Sequence, residues 1–164
     1  MWEGKDVSEG LATMKVRTFR EGDEAAIKQL ITSILNKEFQ LEKRAYSETD
    51  LDMISKVYCG DRNTFLIGEV DHQIVGTVAI KEDDRHTALL RRLFVDPAHR
   101  GKKYGARLID EALAFCRNKG YKKVVFRGTA GMSAALRLIR RKGFLEAEKI
   151  CFGEIEMILF ALSL

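Results

Sequence analysis

The segment from Leu89 to Phe144 constrains this chain more than any other. It reads LLRRLFVDPAHRGKKYGARLIDEALAFCRNKGYKKVVFRGTAGMSAALRLIRRKGF. An apolar run, Leu89–Val95, meets Asp96-Pro97, where proline ends a strand ladder. A basic turn containing glycine follows. Then Leu108, Ile109, Ala112, Leu113 and Cys116 recur at helical spacing across Tyr104–Asn118. The reading is a strand, an anion loop and a helix. A helix start leaves backbone N–H groups unpaired and carries the positive end of the macrodipole, so such a unit suits a phosphate. A phosphate-bearing cofactor is the expected cargo. A solvated basic turn capping a core helix would use the same residues. The flanking strand and the later Gly143-Phe144 favour the first reading. A Walker loop is excluded, because no GxxxxGK[ST] spacing occurs.

The remaining elements build a domain around this unit. Lys15–Phe19 reads as a strand. Ile27, Leu30, Ile31, Ile34 and Leu35 mark an amphipathic helix after Asp23. Ser47, Glu48, Thr49 and Asp50 resemble a capping box with Asp in place of Glu, opening a second helix through Leu51, Ile54, Val57 and Tyr58. Thr64–Val70 and Ile74–Ile80 flank Asp71, His72 and Gln73 as a hairpin. Lys122–Phe126 is a strand, Ser133–Lys142 a helix, Phe144–Ala147 a short strand and Glu154–Leu162 a final strand. The order is β-α-α-β-β-β-α-β-α-β-β. A meander followed by crossovers implies an α/β (α+β) fold with a mixed sheet and helices on both faces.

At 164 residues the chain is long enough for one domain with a real core. The expected organisation is a weakly ordered lead-in over residues 1–12, polar and glycine-containing, then a single domain over 13–164. No run of about 18 apolar residues predicts a membrane helix, and the N-terminus shows no secretory h-region. Cys59, Cys116 and Cys151 form no CxxC pair, which points to a reducing, cytoplasmic setting. His72, His86 and His99 lack zinc-ligand spacing, so no metal is expected. A net charge of +4 suits an anionic ligand without arguing for nucleic acid.

Leu89–Phe144 resembles the acetyl-CoA-binding core of the GCN5-related N-acetyltransferases, the GNAT superfamily. The likeness lies in Val95-Asp96-Pro97, in the loop Arg100, Gly101, Lys102, Lys103, Tyr104, Gly105, Ala106, and in the helix from Ala135 to Gly143-Phe144. The element order fits from about Lys15 to the C-terminus. The resemblance implies a GNAT acyl-CoA N-acyltransferase fold and acetyl-CoA as cosubstrate. It implies that residues 100–106 bind pyrophosphate, with Met132 and Ala135 contributing from the second helix. Leu93, Phe94 and Val95 would pair with the pantetheine arm, and the Phe94 and Val95 amides would polarise the acetyl carbonyl. Gly105 would let the backbone approach a phosphate closely.

Three departures from the family pattern bear on chemistry. Lys103 stands where the family usually has a glycine. Ile139 replaces the tyrosine that protonates the departing thiolate, and Met132 replaces an asparagine. Leu89 replaces a glutamate that helps to deprotonate the amine. The catalytic groups therefore stay unassigned, with His86, Glu69 and Glu38 as candidates for the base. The plainer readings are the stronger for His86, a surface loop histidine, and at least as strong for Glu69, a strand residue near solvent.

Three functions follow as expectations. The first is an N-acetyltransferase that moves acetyl from acetyl-CoA to a primary amine by direct attack, on a small-molecule or peptide acceptor. The second is a non-catalytic acyl-CoA sensor. The third, nucleic-acid binding, rests on Arg137, Arg140, Arg141 and Lys142 alone and is disfavoured by the mild charge. Neither a membrane nor a nucleic-acid partner is expected, and the chain would act as a monomer or a homodimer.

Overall fold

The computed structural model describes residues 13–164. The expected lead-in over residues 1–12 lies outside the described residues. The chain forms β1 (Lys15–Thr18), α1 (Glu24–Glu38), two 3-10 turns (Glu42–Ala45 and Thr49–Asp52) and the single-turn α2 (Ile54–Val57). It continues through β2 (Thr64–Val70), β3 (Gln73–Glu82), β4 (Thr87–Val95) and α3 (Tyr104–Asn118). It ends with β5 (Lys123–Thr129), α4 (Ser133–Arg141), β6 (Leu145–Phe152) and β7 (Ile155–Ser163). One seven-stranded sheet runs in the order β1-β2-β3-β4-β5-β7-β6. Every neighbouring pair is antiparallel except β4 and β5.

Strand periodicity sends alternate residues to two cores, one on each face. Phe65 and Ile67 pack with Ile27, Ile31, Leu35, Leu51 and Ile54 beneath α1. Leu66, Val78, Ile80 and Leu90 pack with Leu108, Ile109, Leu113, Leu136 and Ile139 from α3 and α4. The β2–β3 turn is two residues long. Asp71 and His72 both take positive φ, 48° and 65°, which matches the twist of a two-residue hairpin. Gly120, at φ 81°, ends α3, and the Tyr121 amide donates back to the Cys116 carbonyl at 3.1 Å.

Two local expectations change. The second helix shrinks to a 3-10 turn and the single turn of α2. The capping box does not form: the Thr49 amide, two residues on rather than three, donates to Ser47 Oγ at 3.2 Å, and the 3-10 turn has no side-chain cap. Asp50 does not reach back either. Its carboxylate is buried and accepts from Arg92 Nε at 3.0 Å and from Tyr58 Oη at 2.7 Å. A long-range ion pair has taken the residue from its local cap. The strand expected at Phe144–Ala147 runs instead over Leu145–Phe152 and is exposed throughout, because it is the sheet edge beyond β7.

The Asp50–Arg92 pair meets β4 where that strand bulges. Thr77 pairs with Phe94 and Ala79 with Arg91, so Val78 alone opposes Arg92 and Leu93. Arg92 takes φ 55°, an uncommon conformation for a side-chain-bearing residue. Thr77 Oγ1 donates to the Arg92 carbonyl at 2.7 Å, and Arg92 Nη2 donates to both Asp50 and the Ser47 carbonyl. The neighbouring Arg92 guanidinium and Tyr58 hydroxyl hold the Asp50 carboxyl below its usual range against the opposing effect of burial. A carboxylate whose folded pKa is depressed contributes stability above its unfolded value, and loses it as pH falls through the folded one. Asp50→Asn should therefore strand a buried guanidinium and cost about 3–5 kcal/mol in urea unfolding at neutral pH. The gap between wild type and variant should narrow below pH 3.8, the carboxyl's unperturbed value.

Candidate active site

β4 and β5 pair in parallel only from Thr87 with Lys123 to Leu90 with Phe126. Beyond that point β4 keeps β3 on its other side and β5 keeps β7, so the two strands part. The β5-facing backbone of Arg91–Val95 is left without a strand neighbour. A slot opens there, with strand-edge hydrogen-bonding groups available to an extended ligand.

Two cavities meet at this slot. One is a long groove bounded by Leu93, Phe94, Val95, the loop through Arg100, Gly101, Lys103, Tyr104, Gly105 and Ala106, and the N-terminal half of α4. The other lies where the strands part and is lined by Tyr46, Leu89–Phe94, Val125–Arg127 and Met157. Leu93, Phe94, Met132 and Ala135 line both. Of the residues expected to bind a cofactor, only Lys102 lies outside this lining. The groove also takes in His99 and Ser133, which the motif did not mark, and Arg137 and Arg141 of the motif's second helix.

The loop is shaped for an anion. Asp96 Oδ1 accepts from the Ala98 amide at 2.9 Å and starts a short 3-10 turn, Pro97–His99. Gly101 takes φ 81° and Lys103 takes φ 65°, the last residue before α3. Glycine adopts this conformation freely, whereas lysine does so at a cost of about 1–2 kcal/mol. A glycine there, as the resemblance leads one to expect, would avoid that cost. Gly105 is also constrained by packing. A Cβ on it would lie 2.9 Å from Leu138 Cδ2 and 3.8 Å from Val95 Cγ2, so its lack of side chain lets α3 approach α4 and β4.

Cations flank the groove unevenly. Arg100 is engaged by a bidentate pair with Glu38 at 2.7 and 3.0 Å and donates from Nε to the Val95 carbonyl. Across the groove, Arg137 and Arg141 are one helical turn apart on α4, and both are exposed. Neither makes an ion pair among the described residues. The other two basic residues of that helix end are committed elsewhere: Arg140 Nη2 lies 3.7 Å from Glu146, and Lys142 Nζ 2.7 Å from Asp110. The basic cluster is thus split rather than a continuous stripe. His99 Nδ1 is buried without a partner among the described residues. Loop amides, the free guanidiniums and this orphaned ring nitrogen fit a phosphate-bearing cofactor.

The candidate bases are dispersed. His86 stands at the closed end of the β4–β5 pair, where its carbonyl accepts from the Lys122 and Lys123 amides. Glu69 Oε2 accepts from Arg17 Nε and Nη2 at 3.2 and 3.1 Å, in a cleft bounded by α1 and the β2–β3 turn. Glu38 lines the cofactor groove, paired with Arg100. Leu89 lines the second cavity but brings no charge. Ile139 is fully buried in the α3–α4 core and lines neither cavity. No cysteine lines either cavity, and burial pushes the Cys116 thiol up to about 12.

Sequence comparison identifies the architecture. Residues 28–144 match the description of the acetyltransferase (GNAT) family. The chain belongs to the GNAT family. It is 33% identical over 101 residues to rat N-acetyltransferase 8F1 and 33% over 103 residues to human N-acetyltransferase 8. Each match takes in 58% of this chain but only 46% and 45% of those proteins, so the chain spans about half the length of the curated relatives it matches. An acetyltransferase structure from Streptococcus agalactiae superposes with TM-score 0.82 at 20% identity, covering 92% of this chain and 98% of that one. A putative acetyltransferase from Salmonella typhimurium with its cofactor acetyl-CoA gives TM-score 0.76 at 19% identity, covering 92% and 93%. These likenesses show the GNAT fold.

Two outcomes follow from this geometry. Lys103→Gly relieves the left-handed strain and should raise urea-unfolding stability by about 1 kcal/mol. Arg137→Ala and Arg141→Ala should each weaken CoA binding about three- to tenfold in titration calorimetry, as expected for loss of a charge-assisted contact. That difference should shrink at high salt.

Proposed function

We propose that the protein is an N-acetyltransferase that moves the acetyl group of acetyl-CoA to a primary amine by direct attack. The observation that carries this reading is the junction itself. A groove suited to a phosphate-bearing cofactor and a second cavity meet at an unpaired strand edge, in a chain of the GNAT family.

In this reading the loop from Arg100 to Ala106 and the arginines of α4 hold the phosphates. The open edge of Leu93–Val95 takes the pantetheine amide as an added strand. The bulge at Arg92 directs β4 amides toward the thioester carbonyl, where they stabilise the oxygen as it becomes negative. The amine enters from the second cavity. Placing both reactants at one point removes much of the entropic barrier to attack. Direct transfer is favoured over an acyl-enzyme route because neither cavity is lined by a cysteine. A reducing cytoplasm is the compartment this reading prefers, in keeping with the unpaired thiols of Cys59 and Cys151 at the surface.

A second reading, a non-catalytic acyl-CoA sensor, is favoured by Ile139 and Leu89, which bring no proton-transfer group to their positions. Titration calorimetry with acetyl-CoA and desulfo-CoA, beside thiol release across a panel of small amines and peptide N-termini, separates the two. Micromolar binding with amine-dependent CoA release is the expected result. Binding with no release on any amine would favour the sensor. No binding would overturn both readings.

A further inference from the structure

Tyr46 is a half-buried ionisable group that the mechanism above leaves unused. It sits just after the 3-10 turn Glu42–Ala45, in the connection between α1 and α2, and it lines the second cavity with Leu93, Phe94 and Met132. Its hydroxyl donates to Met132 Sδ at 3.6 Å. A thioether is a weak acceptor, so the phenol retains most of its capacity to donate to a better one. Met132 is one of the four residues common to both cavities, which puts the hydroxyl at their junction. Beside it, Thr129 ends β5 with its Oγ1 buried and close enough to lower the pKa of the Tyr46 hydroxyl. Two hydroxyls are thus gathered where the strands part, and the proton of Tyr46 faces only a sulfur.

Resting on the acetyl-CoA reading, we propose that Tyr46 is the proton donor to the departing CoA thiolate. The amine nitrogen forms a bond to the acetyl carbon, the carbon–sulfur bond breaks, and sulfur leaves with the electron pair. Tyr46 gives its phenolic proton to that sulfur. The nitrogen sheds one proton to solvent as the amide forms, and the phenolate recovers one from solvent. The exchange is balanced without a further reactant. Burial raises the pKa of the Tyr46 hydroxyl, with Thr129 offsetting part of the rise. The group therefore stays protonated at neutral pH and is ready to donate. The nearby charges act in opposite directions, Arg92 lowering the pKa and Glu42 raising it.

The test needs no knowledge of the acceptor. Bound CoA carries a free thiol whose ionisation is followed by thiolate absorbance in the ultraviolet. A phenol that donates to the sulfur stabilises the thiolate, so the bound thiol should ionise at lower pH in wild type than in Tyr46→Phe. The expected effect is about a tenfold or greater difference in the thiol ionisation constant, with acetyl-CoA affinity unchanged within twofold. Phe keeps the ring and its packing, so a merely structural role would leave the titration unmoved. Identical titrations with intact CoA binding would overturn the Tyr46 assignment alone. Failure of wild type to bind CoA would overturn the acetyl-CoA reading and this assignment with it. Loss of CoA binding in Tyr46→Phe only would make Tyr46 a binding residue and also overturn the assignment.

Discussion

The active-site geometry depends on a buried ion pair between residues 42 positions apart. Asp50 and Arg92 have side chains only 8% and 4% exposed, and they meet where β4 bulges. An uncompensated charge at that depth would be costly. The guanidinium therefore fixes the position of the α1–α2 connection relative to β4. In turn, the connection and Thr77 hold Arg92 in a left-handed conformation that it would rarely choose. The bulge is what turns β4 out of step with β3, and it begins at the residue after β4 and β5 have parted. One electrostatic contact thus links the α1–α2 connection, the bulge and the slot. The same connection carries Tyr46, four residues before Asp50.

The parting of β4 and β5 explains the rest of the site. Parallel neighbours usually stay paired and buried on both faces. Here each finds its second partner on the far side, β3 for β4 and β7 for β5, so separation leaves only one edge of each strand unmatched. A ligand with its own amides can supply the missing hydrogen bonds. The loop before α3 and the N-terminal half of α4 bound the groove that continues from this slot. The fold therefore offers one extended site with an anion terminus and an amide-pairing middle.

Legibility from sequence tracked the range of the interactions involved. The strand, loop and helix around Val95–Tyr104 were readable because their signals are local: Asp96-Pro97, a glycine-containing basic turn and a clean helical period. The two-residue turn at Asp71 and His72 was readable for the same reason. Asp50 misled, because Ser47–Asp50 satisfies a local capping pattern and nothing nearby announces a guanidinium in β4. The edge strand β6 was cut short, because Glu146, Glu148 and Lys149 are all exposed and show no buried alternation. Tyr46 lies in an irregular connection where periodicity has nothing to say, so only packing brings its hydroxyl to Met132. The helical arginines looked alike in sequence. Their partners, Glu146 and Asp110, separate Arg140 and Lys142 from the two that line the groove.

The substitution at Ile139 bears on whether this scaffold retained chemistry. Ile139 is wholly enclosed among Leu108, Leu136 and Phe144, so its position has become part of the α3–α4 core. A protein selected only to bind acyl-CoA would have no reason to keep an ionisable hydroxyl beside the slot. An apolar residue at Tyr46 would fill the same space without the cost of burying a hydroxyl whose partner is a sulfur. A phenol proton that faces only a sulfur, beside the slot where the proposed transfer would take place, weighs toward transfer over sensing, since that arrangement lowers stability unless a ligand atom completes it.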